Sequence, residues 1–234
     1  MNNYNLHKEM IKKVAEALGS ELCRQMAFVG GSTTGLLLTD EVTQEEIRYT
    51  TDVDLIVNVV GLAGWEELRQ KLEGHGFKVS MEDDVTCRLR LEELKVDFMP
   101  DDPDVMGFSN RWYSEALASA ADYELEDGVT IRLLTSPHFL ATKFEAFRGR
   151  GEGDLLGSHD IEDIMNLVDG REELFDEVKN SNQELQQYIS EQITGLLAHE
   201  GRPYLLQDTS RGDSEREEIL MERLESLAGL GAQC

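Results

Sequence analysis

One run of β-branched residues with two carboxylates at its start places the strongest constraint on the fold. Residues 53–60 read Val-Asp-Leu-Ile-Val-Asn-Val-Val, a composition typical of a strand. Asp52 and Asp54 open this run, and because side chains alternate across a strand, both project from one face. Two like charges that close destabilise a fold unless something neutralises them, as a divalent cation does. The run therefore predicts one strand of a sheet, with a candidate cation site at its beginning.

The segments on either side of this strand predict a mixed sheet with helices packed on it. Apolar residues at positions 10, 11, 14 and 18 recur at helical spacing, and Gly19 is expected to end that helix. Ser32 is expected to cap a second helix that runs to about Leu38. The other predicted elements are strands at 26–29, 77–81, 87–91 and 94–99, a helix at 65–72, and a polar loop at 40–46. This order of helices and strands is typical of the α+β class.

The second half of the chain is predicted to be mainly helical. Asp127-Gly128 is a strong turn signal and predicts a hairpin over 123–134. Ser136-Pro137 and Ser158 are expected to begin helices that flank a glycine-rich loop at 149–157. Further helices are predicted at 111–121, 171–179 and 183–199, and also at 214–228 unless the tail is mobile. We therefore expect a sheet domain over 1–105, a mainly helical domain over 106–206, and an acidic C-terminal tail or helix over 207–234.

The composition limits the partners and the compartment. The chain has 234 residues and a formal net charge of -25, with 47 acidic and 22 basic residues. Long-range electrostatics would repel nucleic acid, so no DNA is expected, and an RNA partner would need a local basic patch or contact through one strand end. The sequence contains no apolar run of about 18 residues, so no membrane-spanning helix is expected. Residues Met1 to Lys13 also lack the apolar run that a signal peptide needs. Three widely spaced cysteines form no zinc motif. We expect a cytoplasmic protein with reduced thiols.

Two further features indicate chemistry at the start of the predicted strand. Gly30-Gly31-Ser32 lies between a strand and a helix, where glycine backbone, a hydroxyl and the helix N–H groups would bind a phosphate. On the strand at 94–99, Asp97 faces away from its two apolar neighbours. If that strand pairs with the strand at 53–60, Asp97 completes a cluster of three carboxylates.

Three clustered carboxylates suit metal-assisted phosphoryl chemistry. Such a cluster can hold two Mg²⁺ ions, or Mn²⁺ in their place, about 3.5–4 Å apart. One ion would lower the pKa of an attacking hydroxyl, and the other would bind a triphosphate and stabilise the leaving pyrophosphate. Asp97 is then the best candidate for the general base or for orienting the nucleophile. These requirements are those of nucleotidyl transfer.

The same residues carry a family resemblance. Gly31-Ser32, Asp52-x-Asp54 and Asp97 resemble the signature of the polymerase-β-like nucleotidyltransferase superfamily. Within it, Arg48-x-Thr50-x-Asp52-x-Asp54 is similar to the AbiEii/AbiGii toxin-type branch. Nineteen residues separate Ser32 from Asp52, more than in compact members, and an extra loop at 40–47 would absorb them.

The second half extends the resemblance to about residues 25–170. Lys143-x4-Arg148, followed by His159-Asp160 and Asp163, also resembles the AbiEii-type pattern. The resemblance implies that Lys143 neutralises the triphosphate and that Asp160 orients Lys143. The alternative is a structural Lys–Asp pair with no substrate role.

Several assignments stay open between substrate binding and structure. Arg48 would share a face with Thr50 and the two acids if the strand extends that far, and it would contact phosphate or form an ion pair at the strand start. Arg148 would bind a phosphate group of the nucleotide, or it would be an exposed arginine without a binding role. Trp112 and Tyr113 would stack on a base or belong to the core, and core is the more common role for aromatic residues at a helix start.

The resemblance implies an Mg²⁺-dependent enzyme that transfers NMP from an NTP to an acceptor hydroxyl. A toxin or phage-defence role would follow, with tRNA as an acceptor and an antitoxin protein as a partner. A second interpretation is a transferase for small cationic molecules, similar to aminoglycoside nucleotidyltransferases, which the negative charge favours. A third is a non-catalytic nucleotide-binding protein of the same fold.

Overall fold

The computed structural model describes residues 2–83, 85–107, 109–150 and 154–233 of the chain. Its backbone divides into two compact units. The first unit comprises Met1–Leu36 and Arg48–Thr135, and the second comprises Leu37–Ile47 and Ser136–Cys234. Gly151 and Gly153 of the predicted glycine-rich loop lie outside the described residues.

A seven-stranded mixed sheet forms the centre of the first unit. The strands are β1 (Met26–Val29), β2 (Asp52–Val57), β3 (Phe77–Lys78), β4 (Arg88–Leu91), β5 (Leu94–Pro100), β6 (Ala121–Glu124) and β7 (Thr130–Leu133). Their order across the sheet is β3-β4-β5-β2-β1-β7-β6. Strand β2 is antiparallel to β1 and parallel to β5. The prediction of an α+β chain with a mixed sheet and a helical C-terminal region is therefore confirmed.

The described residues form α-helices in both units. In chain order they are α1 (Asn3–Cys23), α2 (Thr34–Leu37), α3 (Glu41–Glu46), α4 (Gly61–Gly74), α5 (Pro103–Met106), α6 (Tyr113–Ser119), α7 (Ser136–Arg150), α8 (His159–Gly170), α9 (Leu174–Lys179), α10 (Gln183–Ala198), α11 (Arg202–Ser210) and α12 (Ser214–Ala228). Among these helices, none is long and apolar enough to cross a membrane.

In the first unit, the two faces of β2 have different surroundings. Ile56 continues the face that carries Asp52 and Asp54, and it joins an apolar cluster with Ala27 and with Leu117 of α6. On the other face Val53 and Leu55 are fully buried, and α1 packs against β1, β2 and β7. The acidic end of this strand is therefore held by a well-packed sheet.

In the second unit, α8 carries the predicted apolar stripe. Ile161, Ile164, Met165 and Val168 are all buried, and α7, α11 and α12 pack against α8. Ser158 caps α8 as predicted, because its Oγ accepts a hydrogen bond from the Ile161 N–H.

Gly19 interrupts α1 as predicted, because its φ of 71° and ψ of 164° are not helical, and a second helical segment continues to Cys23. Two other local expectations were wrong. Ser32 caps no α-helix, because it lies inside a 3-10 turn over Gly31–Thr33. The segment at 40–46 is not a loop, because Asp40 caps α3 by accepting hydrogen bonds from the N–H and the hydroxyl of Thr43 at 2.7 Å each.

The division into units also differs from the predicted boundaries. The hairpin of β6 and β7 joins the sheet through the parallel pairing of β7 with β1, so residues 106–135 belong to the first unit. Residues 37–47 leave that unit and place α3 against α8, where Gly170 O accepts from the backbone N–H groups of Thr39 and Asp40. This excursion accounts for the long spacing between Ser32 and Asp52. The segment after 207 belongs to the second unit, and the helix predicted at 214–228 is present as α12, which packs on α8, α10 and α11.

Candidate metal centre

Asp52, Asp54 and Asp97 come together on neighbouring strands. The parallel pairing of β2 with β5 places Asp54 directly opposite Asp97. One carboxylate oxygen from each of the three residues lies within 4.8 Å of the other two. Asp97 is buried, whereas Asp52 and Asp54 are half-buried and reach solvent. The predicted cluster of three carboxylates is therefore present.

Arg88 on β4 is a fourth charged member of the site, and the sequence patterns did not identify it. It lies opposite Asp97 in the antiparallel pairing of β4 with β5. Its Nε and Nη2 atoms donate to the two oxygens of Asp97 at 2.7 Å each, and Nη2 is 3.5 Å from Asp52 Oδ2. These hydrogen bonds, chiefly that with Asp97, raise the pKa of Arg88, so its positive charge is permanent. Three carboxylates and one guanidinium leave the site with a formal charge of about −2.

Gly30 allows the turn after β1 to approach Asp54 closely. Its backbone has φ 82° and ψ −175°, a region that only glycine adopts readily. Val29 pairs with Asp54 across β1 and β2, so the turn begins beside that carboxylate. A Cβ added at Gly30 would overlap Asp54 Oδ2 and lie 2.7 Å from its Cγ. The absence of a side chain at Gly30 therefore makes room for the carboxylate of Asp54. The sequence pattern had indicated only a role for this glycine in binding phosphate.

The 3-10 turn after Gly30 places a buried hydroxyl next to this region. Gly30 O accepts hydrogen bonds from the Thr33 N–H at 3.1 Å and from the Thr33 hydroxyl at 2.8 Å, which close the turn. Ser32 is 1% exposed, and among the described residues no hydrogen-bond partner is present for its Oγ. A buried hydroxyl without a partner costs free energy, so it is a candidate to contact a bound group. Gly31, which is also buried, belongs to the same turn.

Thr50 and His7 support the start of β2. The Thr50 hydroxyl donates to Asp52 Oδ1, and its backbone N–H donates to Nε2 of the buried His7 at 3.2 Å. An accepting Nε2 requires the neutral ring with its proton on Nδ1. The strand begins at Asp52 and does not extend to Arg48, so the condition for Arg48 and Thr50 to share a strand face with the two acids is not met. Thr50 nonetheless reaches Asp52 through its side chain, and Arg48 is half-buried.

The donor set fits a hard divalent cation. All the candidate ligand atoms are carboxylate oxygens, which Mg²⁺ and Mn²⁺ prefer, and the residual charge of the site is negative. The nearby thiol of Cys87 is buried, and burial, followed by the Asp97 charge, raises its pKa to about 12. Space beside Asp54 is kept open by Gly30, as described above. The residues present therefore fit an oxygen-ligated metal ion.

Lys143 in the second unit is enclosed by two carboxylates. Its Nζ donates to Asp160 Oδ1 at 3.1 Å and to Asp163 Oδ2 at 2.6 Å, and all three side chains are buried. The predicted contact with Asp160 is confirmed, and Asp163, which belongs to the same sequence pattern, forms the shorter bond. Arg150 adds a contact of 3.7 Å to Asp160. This arrangement is a buried ion network between α7 and α8.

The remaining candidates have surface or core surroundings. Arg148 is more than half exposed, and its Nη1 lies 3.7 Å from Glu145 Oε2. Trp112 and Tyr113 are buried at the start of α6, and Tyr113 belongs to the apolar cluster that contains Ile56. The structure therefore favours the core role for both aromatic residues.

The chain was also compared with known proteins. No model of a known protein family matches it, and a search of curated proteins found no match. The resemblance to nucleotidyltransferases therefore depends on the motif residues themselves.

Proposed function

We propose that the protein is a nucleotidyltransferase that moves NMP from an NTP to an acceptor hydroxyl. The observation that carries the proposal is the meeting of three carboxylates with the Gly30 turn at one place in the sheet. Glycine-rich turns between a strand and a helix occur in many proteins, and so do pairs of acidic residues at the end of a strand. Here the Gly30 turn lies directly against Asp54, so the turn and the acidic residues form one site.

The chain's own residues would divide the work at this site. Asp52, Asp54 and Asp97 would hold Mg²⁺, and Asp97 would also accept the proton of the acceptor hydroxyl or orient that hydroxyl. Gly31 backbone and the Ser32 hydroxyl would contact phosphate oxygens of the NTP. When bound, Mg²⁺ would supply a Lewis acid for the phosphate oxygens and a lowered pKa for the acceptor hydroxyl.

The basic residues of the second unit have unequal support for a role in this reaction. Arg148 is exposed, so its guanidinium is accessible to a phosphate group. Lys143 already has two carboxylate partners within hydrogen-bond distance, which favours the structural interpretation of that pair. Within the proposal, Lys143 is therefore first a stabilising residue of the helical unit.

Two acceptor classes are compatible with the proposed reaction. The AbiEii-type resemblance favours tRNA, with a cytoplasmic toxin or phage-defence role and an antitoxin partner. The net charge of -25 favours a small cationic acceptor, because a negative protein attracts cations and repels RNA. The charge is the one observation that supports the second class.

The test is a transfer assay with α-labelled NTPs, Mg²⁺ and either total tRNA or a mixture of aminoglycosides. Label on RNA supports the first acceptor class, and label on the drug supports the second. Asp54→Ala should abolish transfer while circular dichroism shows an unchanged fold. Undiminished transfer by that variant would refute the metal assignment, and NTP binding without transfer to any acceptor would favour a non-catalytic nucleotide-binding protein.

A further inference from the structure

Arg88 contacts two of the three carboxylates. Both donor atoms of its fork engage Asp97 at 2.7 Å, and the same guanidinium lies 3.5 Å from Asp52. The side chains of Arg88 and Asp97 are 17% and 10% exposed, so little water screens this pair. A bidentate arginine–carboxylate contact fixes orientation as well as charge.

We propose that Arg88 is a positioning residue that serves as the built-in counter-ion of the metal centre and competes with the cation for Asp97. The inference depends on the proposed function only for the assumption that the three carboxylates bind a divalent cation. Arg88 lies outside the acidic motif, and its positive charge offsets part of the repulsion among the three carboxylates.

The charges of the site set its capacity for cations. With Arg88 in place, the formal charge of about −2 is balanced by one divalent cation, and a second would make the site positive. The triphosphate of an NTP brings its own negative charge, so a second cation would be accommodated only together with nucleotide. We therefore infer that the free protein binds one divalent cation at this centre.

Arg90 provides a matched control on the same strand. It lies two residues from Arg88, so its side chain projects from the same face of β4. Its guanidinium also forms a bidentate contact, but with Asp83, at 2.7 and 3.1 Å. Replacing Arg90 removes the same charge from the protein without touching Asp97.

The experiment titrates the full-length protein with Mn²⁺ in the absence of nucleotide, by electron paramagnetic resonance and by calorimetry. Wild type should bind one Mn²⁺ at the centre. Arg88→Met should bind Mn²⁺ at least about tenfold more tightly, because a positive charge within a few ångströms of the cation has been removed. Arg90→Met should stay within about twofold of wild type, since the Arg90 guanidinium is engaged by Asp83 and the residue lies opposite Lys95, not Asp97, in the sheet.

A second variant and a second readout keep the test valid if Arg88→Met is unstable without a cation. Arg88→Lys retains the positive charge but cannot make the bidentate contact with Asp97. The Mn²⁺ affinity of this variant should therefore lie between those of wild type and Arg88→Met. Mg²⁺ should raise the melting temperature of Arg88→Met by more than it raises that of wild type. Unchanged or weaker Mn²⁺ binding by Arg88→Met, or weaker binding by Arg88→Lys, would overturn the inference.

The outcomes separate this inference from the proposed function. Tighter Mn²⁺ binding by Arg88→Met with no nucleotidyl transfer by wild type would support the counter-ion and refute the enzyme. Transfer by wild type with no change of Mn²⁺ affinity in Arg88→Met would support the enzyme and refute the counter-ion.

Discussion

Replacing Gly30 with alanine tests the contact between the turn and the acidic cluster. The added Cβ would overlap Asp54 Oδ2 and lie 2.7 Å from Cγ and 2.9 Å from Cβ of that residue. The backbone at Gly30, with φ 82° and ψ −175°, is also unfavourable for alanine. Both effects act on the same residue, so the variant should be strongly destabilised.

The expected magnitude follows from these two terms. A residue other than glycine in this backbone region costs about 1–3 kcal/mol. Overpacking against a side chain in a packed sheet costs a further amount of about 1–3 kcal/mol. We therefore expect Gly30→Ala to lose about 2–6 kcal/mol of unfolding free energy, measured by urea titration followed by circular dichroism.

A matched control separates the two terms. Gly76 also has a positive φ, of 93°, but a Cβ there would meet only Leu91 Cδ1, at 3.9 Å. Gly76→Ala should therefore cost only the backbone term, about 1–2 kcal/mol. A loss in Gly30→Ala no larger than that in Gly76→Ala would refute the packing explanation.

A double-mutant cycle assigns the clash to Asp54. Asp54→Ala removes the Cγ and Oδ2 atoms and leaves only the 2.9 Å approach of the two Cβ atoms. Gly30→Ala should then cost at least about 1 kcal/mol less in the Asp54→Ala background than in wild type. Equal costs in the two backgrounds would show that the carboxylate does not determine the effect.

Two further predictions concern the second unit. Asp40→Ala should cost about 1 kcal/mol at pH 7 through loss of the α3 cap. Hydrogen bonds from the Thr43 hydroxyl and N–H lower the pKa of Asp40, so the charge-dependent part of this contribution is complete above the ordinary value of 3.8 and is lost as the pH falls through the lower folded-state pKa. Urea titrations at pH 7 and at successively lower pH check it, and a cost that does not decrease in acid would contradict it. Lys143→Met should cost about 3–5 kcal/mol, because it removes the buried cation that Asp160 and Asp163 share, although Asp160 keeps its 3.7 Å contact with the exposed Arg150. Adding Asp163→Asn should recover part of that loss in urea titrations, and a cost below about 1 kcal/mol for Lys143→Met would refute the buried network.

The sequence predicted those features that depend on local pattern. The β-branched composition of 53–60 indicated β2, and strand alternation indicated that Asp52 and Asp54 share a face. The same alternation separated Asp97 from its apolar neighbours, so the cluster needed only the assumption that β2 and β5 are neighbours. The strong local signal of the strand and one correct assumption about strand pairing were therefore sufficient to predict that the three carboxylates cluster.

Features that depend on distant pairing were missed. Arg88 meets Asp97 only through the antiparallel register of β4 with β5, and no spacing rule links an Arg-Leu-Arg-Leu strand to an acidic motif. The hairpin of β6 and β7 was assigned to the wrong region because β7 pairs with β1, about 100 residues earlier in the chain. The helix α3 gave no periodic apolar signal because Thr43 is its only fully buried residue.

Mass spectrometry of the acceptor after reaction tests the central claim most directly. Wild type, incubated with an NTP, Mg²⁺ and either tRNA or an aminoglycoside mixture, should increase the mass of one acceptor by a single NMP and release pyrophosphate. Asp97→Asn keeps the size of the side chain but cannot accept a proton as a carboxylate does, so it should produce no adduct while binding NTP. An adduct formed equally by wild type and Asp97→Asn, or no adduct on any acceptor with wild type, would contradict the assignment of this carboxylate cluster as a nucleotidyl-transfer site.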